Sequence, residues 1–243
     1  MKRVRKRHPI RNFIVIMFLL VLGMAAAVSV FFGVKGYRMY QDAISQASLE
    51  ERVDTIRAKT DFIDYSEMAE FYIDAVISVE DHRFMEHPGI DPIAIGRAVW
   101  TDIRERAFME GGSTITQQLA KNLLFTQDKK IERKAAEVFA VFDMESKYSK
   151  EEIFELYVNT VGFGSGYEGV FAAATGYFGK FPSELTDYES AMLAGVPNAP
   201  SEYSPDINIE LANQRVAQVL QSMVKHQIIT QEEAEQIMGK AWR

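Results

Sequence analysis

Glu80 and Asp81 stand side by side, followed within six residues by His82, Arg83, Phe84 and His87. A carboxylate beside another carboxylate is harder to ionise, and partial burial raises its pKa further, which suits proton transfer near neutral pH. The same side chains include metal-ligand types, but the spacing of Glu80, Asp81, His82 and His87 matches no established metal motif. The plainest alternative is a solvated charge run at a helix end. A second dense polar run, Gly111-Gly112-Ser113-Thr114-Ile115-Thr116-Gln117-Gln118-Leu119-Ala120-Lys121-Asn122, combines two glycines, three hydroxyls, three amides and a lysine. Glycines admit close backbone approach, and the polar side chains offer donors and acceptors to an extended polar ligand. A solvated loop with a helix cap at Ser113 or Thr114 is the competing reading. In the third cluster, Lys129 to Glu137, Arg133 and Glu137 are four residues apart and share a helix face. They form either a routine ion pair or, with Lys121, a cationic seat for an anionic leaving group.

Mostly helical elements must position these groups. Met68, Tyr72, Ala75, Val76 and Val79 recur at spacings of three and four and predict a helix ending near Glu80. Asp91-Pro92 predicts a capped helix running to about Phe108, and Ser149…Glu152, Thr186…Glu189 and Thr230…Glu233 are capping boxes opening further helices. No alternating strand series and no repeat occurs. Gly164 to Gly169 fits the letters of a dinucleotide fingerprint, but it follows a predicted helix where the fingerprint needs a strand. Ser222-x-x-Lys225 has the spacing of a serine acyltransferase motif, with no Lys-Thr-Gly element to accompany it, and is taken as a chance match in an amphipathic helix.

The chain has 243 residues, is 47% hydrophobic and can bury a full core. It has no cysteine, which excludes disulfides, thiolate metal sites and a cysteine nucleophile. The net charge of -7 is uneven, because residues 1–12 hold six of the 27 basic residues and no acid. The remaining, strongly acidic body is a poor nucleic-acid binder. Residues 13–34 are an almost unbroken apolar run of about 33 Å as a helix, long enough to span a bilayer. With the basic cluster before it, the N-terminus is expected in the cytoplasm and the rest outside. A signal peptide cleaved near Ala25-Ala26-Ala27 is the alternative, and the apolar residues continuing through Phe32 favour an uncleaved anchor. The expected organisation is a basic segment over 1–12, a transmembrane helix over 13–34, a helical stalk or linker over 35–63 and one catalytic domain over 64–243.

In their order and spacing, Glu80-Asp-His-Arg-Phe84…His87-Pro-Gly-Ile-Asp91, the Gly111–Asn122 run, Arg133-Lys-Ala-Ala-Glu137 and Ser149 to Asn159 resemble the motifs of the peptidoglycan glycosyltransferases, glycosyltransferase family 51. Ala172 to Lys180 and Leu193-Ala-Gly-Val-Pro-Asn-Ala-Pro-Ser201 extend the resemblance, which covers about residues 64–240. The absence of a following transpeptidase domain makes the chain similar to the monofunctional form. The resemblance implies a mainly α, lysozyme-like domain beside the membrane. It also implies polymerisation of lipid II into β-1,4 glycan by a single inverting displacement that releases undecaprenyl diphosphate.

On that resemblance Glu80 is the general base on the acceptor's 4-hydroxyl, and Glu137 is a second essential carboxylate. Lys121, Arg133 and Lys129 would neutralise the diphosphate. Asp81, Phe84 and His87 would shape the first motif, and Ser113, Thr114, Gln117, Gln118 and Asn122 would bind sugar or phosphate. Residues 94–108, with Ile95, Val99, Trp100, Ile103 and Phe108, would belong to a membrane-facing jaw. No cofactor is required, although Mg or Mn at the diphosphate is compatible. The implied partners are lipid II, the growing glycan, the cytoplasmic membrane and other cell-wall synthesis proteins. Phe142-Asp143 and Val158 to Val161 are less typical of the family, without removing a catalytic group. Two alternatives stay open: a glycan-cleaving enzyme, since one acid at a helix end can protonate a glycosidic oxygen, and an inactive scaffold.

Overall fold

The computed structural model describes residues 9–105, 112–125 and 131–240. Gly111, Phe108 and Lys129 therefore lie outside the described residues. Twelve α-helices are described: α1 Pro9–Gln46, α2 Leu49–Arg57, α3 Glu70–Glu80, α4 Pro92–Glu105, α5 Ile115–Leu124, α6 Ile131–Lys147, α7 Lys150–Val158, α8 Val170–Phe178, α9 Asp187–Gly195, α10 Pro200–Tyr203, α11 Ile209–Lys225 and α12 Gln231–Met238. The sole extended pairing among the described residues is an isolated bridge between Gly162 and Glu168. The protein is mainly helical, as the periodicity predicts.

The helix starts follow their caps. Ser149, Thr186 and Thr230 each accept from the backbone N–H three residues on, and Glu152, Glu189 and Glu233 accept from the cap residue's own N–H. Asp91 caps α4 by accepting from Ile93 and Ala94. Of the predicted apolar stripe Met68, Tyr72, Ala75 and Val76 are buried and Val79 is half-buried, Ile73 is buried as well, and α3 stops at Glu80 because Asp81 leaves helical backbone geometry. Packed on α3 are α9 and α11, while α5 fills the space against α6 and α7 with Ile115, Leu119, Ala120 and Leu124.

The N-terminal helix is long and apolar enough to cross a membrane, and its residues from Asn12 onward are unburied over the apolar stretch. It does not end where the apolar run ends. Residues 35–46 continue it and pack on α6, and Tyr40, Ala43, Leu49, Val53, Ile56 and Ile63 are buried in the same core as the rest of the domain. A stalk standing apart over residues 35–63 is not what forms. The apolar positions in that stretch are too closely matched to α6 and α7 to remain in solvent. Gly164, Gly166 and Gly169 take positive φ in the loop between α7 and α8, which follows a helix and not a strand, so no dinucleotide turn is built.

Candidate active site

Glu80 ends α3 with its side chain only 10% exposed. Gln118 Nε2 donates to its Oε2 at 2.7 Å, and Arg215 Nη2 lies 3.9 Å from its Oε1. Burial raises the Glu80 pKa above the usual carboxylate value; the Gln118 bond and Arg215 pull it back down, and Asp81 pushes it up. A carboxyl held this way ionises nearer neutrality, which suits proton transfer.

Asp81 does a different job from its neighbour. Its carboxylate accepts from His87 Nε2 at 2.9 Å and from the Ile115 backbone N–H at 3.1 Å, one of the unpaired amides at the start of α5. Gly89 N–H donates to His87 Nδ1, which places the ring proton on Nε2 facing Asp81. Phe84 is fully buried between Phe154 and the Lys150 ammonium, 4.6 Å above its ring. Arg83 pairs with Asp91 across the same loop. Asp81, His87 and Asp91 place ligand-type atoms within 4.8 Å of one another, but these pairings and the α4 cap already engage all three. Asp81, Phe84 and His87 therefore brace the turn that aims Glu80 and hold α5 against it.

Thr114 and Gln117 also face inward. Thr114 Oγ1 accepts from Gln117 N–H and donates to Gly89 O at 2.6 Å, while Gln117 Oε1 accepts from Thr114 N–H at 3.0 Å. Both are buried and form a capping box tied to the Glu80 turn, and Thr114 also lines the cavity beside Glu80. Ser113, Gln118, Lys121 and Asn122 keep an open side, and Lys121 forms no ion pair among the described residues.

On α6, Glu137 is buried among Ala136, Ala140 and Val141. Its charge is met by Arg133 Nε at 3.3 Å and Lys134 Nζ at 2.9 Å, and Lys134 also donates to Ser113 Oγ at 3.1 Å. The start of α5 thus touches both carboxylates, through Gln118 to Glu80 and through Ser113 and Lys134 to Glu137. Lys134 and Arg215 are the residues that sequence reasoning passed over. For Lys134 the signal was present, three residues before Glu137 on a helix. Arg215 had none, since it arrives from α11, where its Nε donates to Gly195 O at 3.2 Å. A Cβ at Gly195 would fall 2.6 Å from Arg215 Cγ, so a glycine is what lets the arginine pass.

A cavity of about 180 Å³ opens beside Glu80, lined by His82, Arg97, Ser113, Lys225 and His226 among others. The His82 and His226 rings stack at 4.1 Å, and burial together with Arg97 and, for His226, its imidazole neighbour lowers both pKa values. Ser222 donates to Ser78 O at 2.7 Å and so fastens α11 to α3, and it holds no acyl chemistry with Lys225. A larger cavity of about 460 Å³ is lined by Thr186 to Glu189 and Lys240 and contains none of the candidate catalytic side chains.

The transglycosylase family model matches residues 46–224, a span containing Glu80, Asp81, Gln118, Lys121, Arg133, Lys134, Glu137 and Arg215. The chain belongs to the transglycosylase family. It is similar to penicillin-binding protein 1A of Aquifex aeolicus (strain VF5), 42% identical over 179 residues, which are 74% of this chain and 25% of that protein. Penicillin-binding protein 1F of Bacillus subtilis (strain 168) is 44% identical over 167 residues, 69% of this chain and 23% of the relative. The chain thus spans about a quarter of the length of these curated relatives. The solved structure of penicillin-binding protein 1A from Haemophilus influenzae overlaps 75% of this chain and 18% of its own, at 22% identity and a TM-score of 0.46. The transglycosylase domain matched by the family model begins at residue 46, inside the stretch expected to be a stalk, in keeping with the burial of Leu49, Val53 and Ile56.

Proposed function

We propose that the protein is a membrane-anchored peptidoglycan glycosyltransferase that polymerises lipid II into β-1,4 glycan with release of undecaprenyl diphosphate. One observation carries the reading: a buried carboxylate with a raised pKa borders an open cavity, and α5 links it to a second carboxylate ringed by cations. Glu80 accepts the proton of the attacking 4-hydroxyl, and the C1–O bond to the diphosphate breaks as the new C1–O bond forms on the opposite face. Arg133, Lys134 and Lys121 face the charge that develops on the departing diphosphate, with Glu137 keeping the first two in place. Lys129 belongs to the same proposed set and lies outside the described residues. Glu137, the carboxylate that would orient a diphosphate-bound Mg or Mn, is engaged by Arg133 and Lys134.

The orientation follows the basic residues ahead of the apolar helix: N-terminus in the cytoplasm, domain on the outer side. Exposed Ile93, Ile95 and Trp100 on α4 give the domain an apolar surface suited to a lipid-borne substrate. Glycan cleavage alone gives the cationic seat nothing to neutralise. The test is purified full-length protein with lipid II and gel separation of the products. Polymer should form with the native chain and be absent with Glu80→Gln, whose fold is checked by circular dichroism. Full-length polymer from Glu80→Gln would remove the base assignment.

A further inference from the structure

The α1 and α6 helices lie side by side and run in the same direction, because their contacts climb together. Lys35 pairs with Glu132 at 3.2 Å, the Tyr37 and Phe139 rings meet edge to face at 5.3 Å, and Tyr40 donates to Asp143 at 2.6 Å. Within this seam Gly36 lies directly on the α6 backbone. A Cβ there would fall 2.6 Å from Ala135 Cβ, 2.7 Å from Ala135 C and 2.8 Å from Ala136 N, all well inside van der Waals contact. Any side chain at 36 drives the helices apart or shifts one along the other. Ala135 shares its helical turn with Arg133, Lys134 and Glu137.

The apolar run ends at Val34, so Gly36 stands about 3 Å beyond it along α1, and Glu137 about 3 Å beyond Ala135 along α6. The headgroup layer is roughly 5–8 Å thick on each face of a bilayer. If α1 spans the membrane, the cationic cluster falls inside that layer, where the diphosphate of a membrane-borne lipid lies. The first residue of α6, Ile131, is exposed on the membrane-ward end of the same helix.

We propose that the Gly36–Ala135 contact is a height stop: it fixes the Arg133–Lys134–Glu137 cluster at the level of the lipid headgroups, making Gly36 a positioning residue for capture of a membrane-embedded diphosphate. This rests on the membrane-anchored reading above. A loosely tethered domain could sample many heights, whereas this seam allows one.

The chain has no cysteine, so Ile131→Cys carries a single fluorophore. In full-length protein reconstituted into vesicles, quenching by lipids spin-labelled at the headgroup should exceed quenching by lipids labelled in mid-chain. Four alanines inserted between Val34 and Lys35 lift the domain by about 6 Å while leaving the seam intact, and should weaken headgroup quenching. A label untouched by headgroup quenchers in the native chain, or unchanged by the insertion, overturns the proposal. In activity, both the insertion and Gly36→Leu should lose at least about tenfold with lipid II in vesicles. With lipid II in detergent micelles, where no fixed surface sets the height, the insertion should stay near the native rate. Equal losses of the insertion variant in both media overturn the height stop. If the native chain makes no polymer in either medium while the quenching behaves as expected, the glycosyltransferase reading fails and the height stop stands.

Discussion

Replacing Gln118 by methionine tests how the base is tuned, because it removes the amide while nearly keeping the side chain's length and volume. The amide N–H donates to Glu80 Oε2 at 2.7 Å in a site where the carboxylate is 10% exposed, so water is a poor substitute. A hydrogen bond to a charged group contributes about 1.5–3 kcal/mol, and its loss favours the protonated form by about 10- to 150-fold. Gln118 lowers a Glu80 pKa that burial has raised, so removing it moves the pKa further up. The polymerisation rate at neutral pH should fall by roughly one to two orders of magnitude and recover as pH rises, because only the ionised base works. The sign for stability is consistent. A buried carboxyl with a raised pKa stabilises the fold while protonated, and that contribution is lost as pH rises through the folded-state pKa, over a wider pH range in the variant. The assay is the initial rate of lipid II polymerisation across pH, with thermal melting at each pH. An acidic limb that stays in place while the plateau drops would refute the tuning role and make Gln118 a substrate contact instead.

Two further outcomes follow from the same geometry. Arg133→Ala and Lys134→Ala should each slow polymerisation by about 10- to 1,000-fold, the scale of losing one preorganised charge partner, and should also lower the melting temperature because the buried Glu137 keeps one cation fewer; native turnover in both would remove the leaving-group role. Asp81→Asn disturbs the two bonds holding His87 and the Ile115 amide, and should cost about 1.5–3 kcal/mol of stability by denaturant unfolding as well as activity; unchanged stability would show that Asp81 does not brace α5.

Local features carried most of what the sequence made legible. Capping boxes at Ser149, Thr186 and Thr230, the cap at Asp91 and the stripe on α3 are short-range patterns, and they appear where their spacing puts them. Glu80 at a helix end and the Arg133–Glu137 pair were legible for the same reason. Orientation was not. Thr114 and Gln117 look as available as Ser113 and Gln118 in a row of letters, but Thr114 is tied to the Gly89 carbonyl from another loop and Gln117 to Thr114, and both are buried. Arg215 is 135 residues from Glu80, and its approach depends on the bare Cα of Gly195 in a third helix. Residues 35–63 carried too little apolar patterning to be told from a stalk, because they are buried by packing on α6 and α7, which are distant in sequence.

The docking of that stretch also determines where the chain can be divided. A fragment beginning at residue 64 would strip away Tyr40, Leu49, Val53, Ile56 and Ile63 and leave the apolar surfaces they cover facing water. A fragment beginning at Lys35 would keep them all and shed only the exposed greasy run. The natural cut between the apolar run and the packed domain therefore falls in the middle of a continuous helix, where no loop marks it.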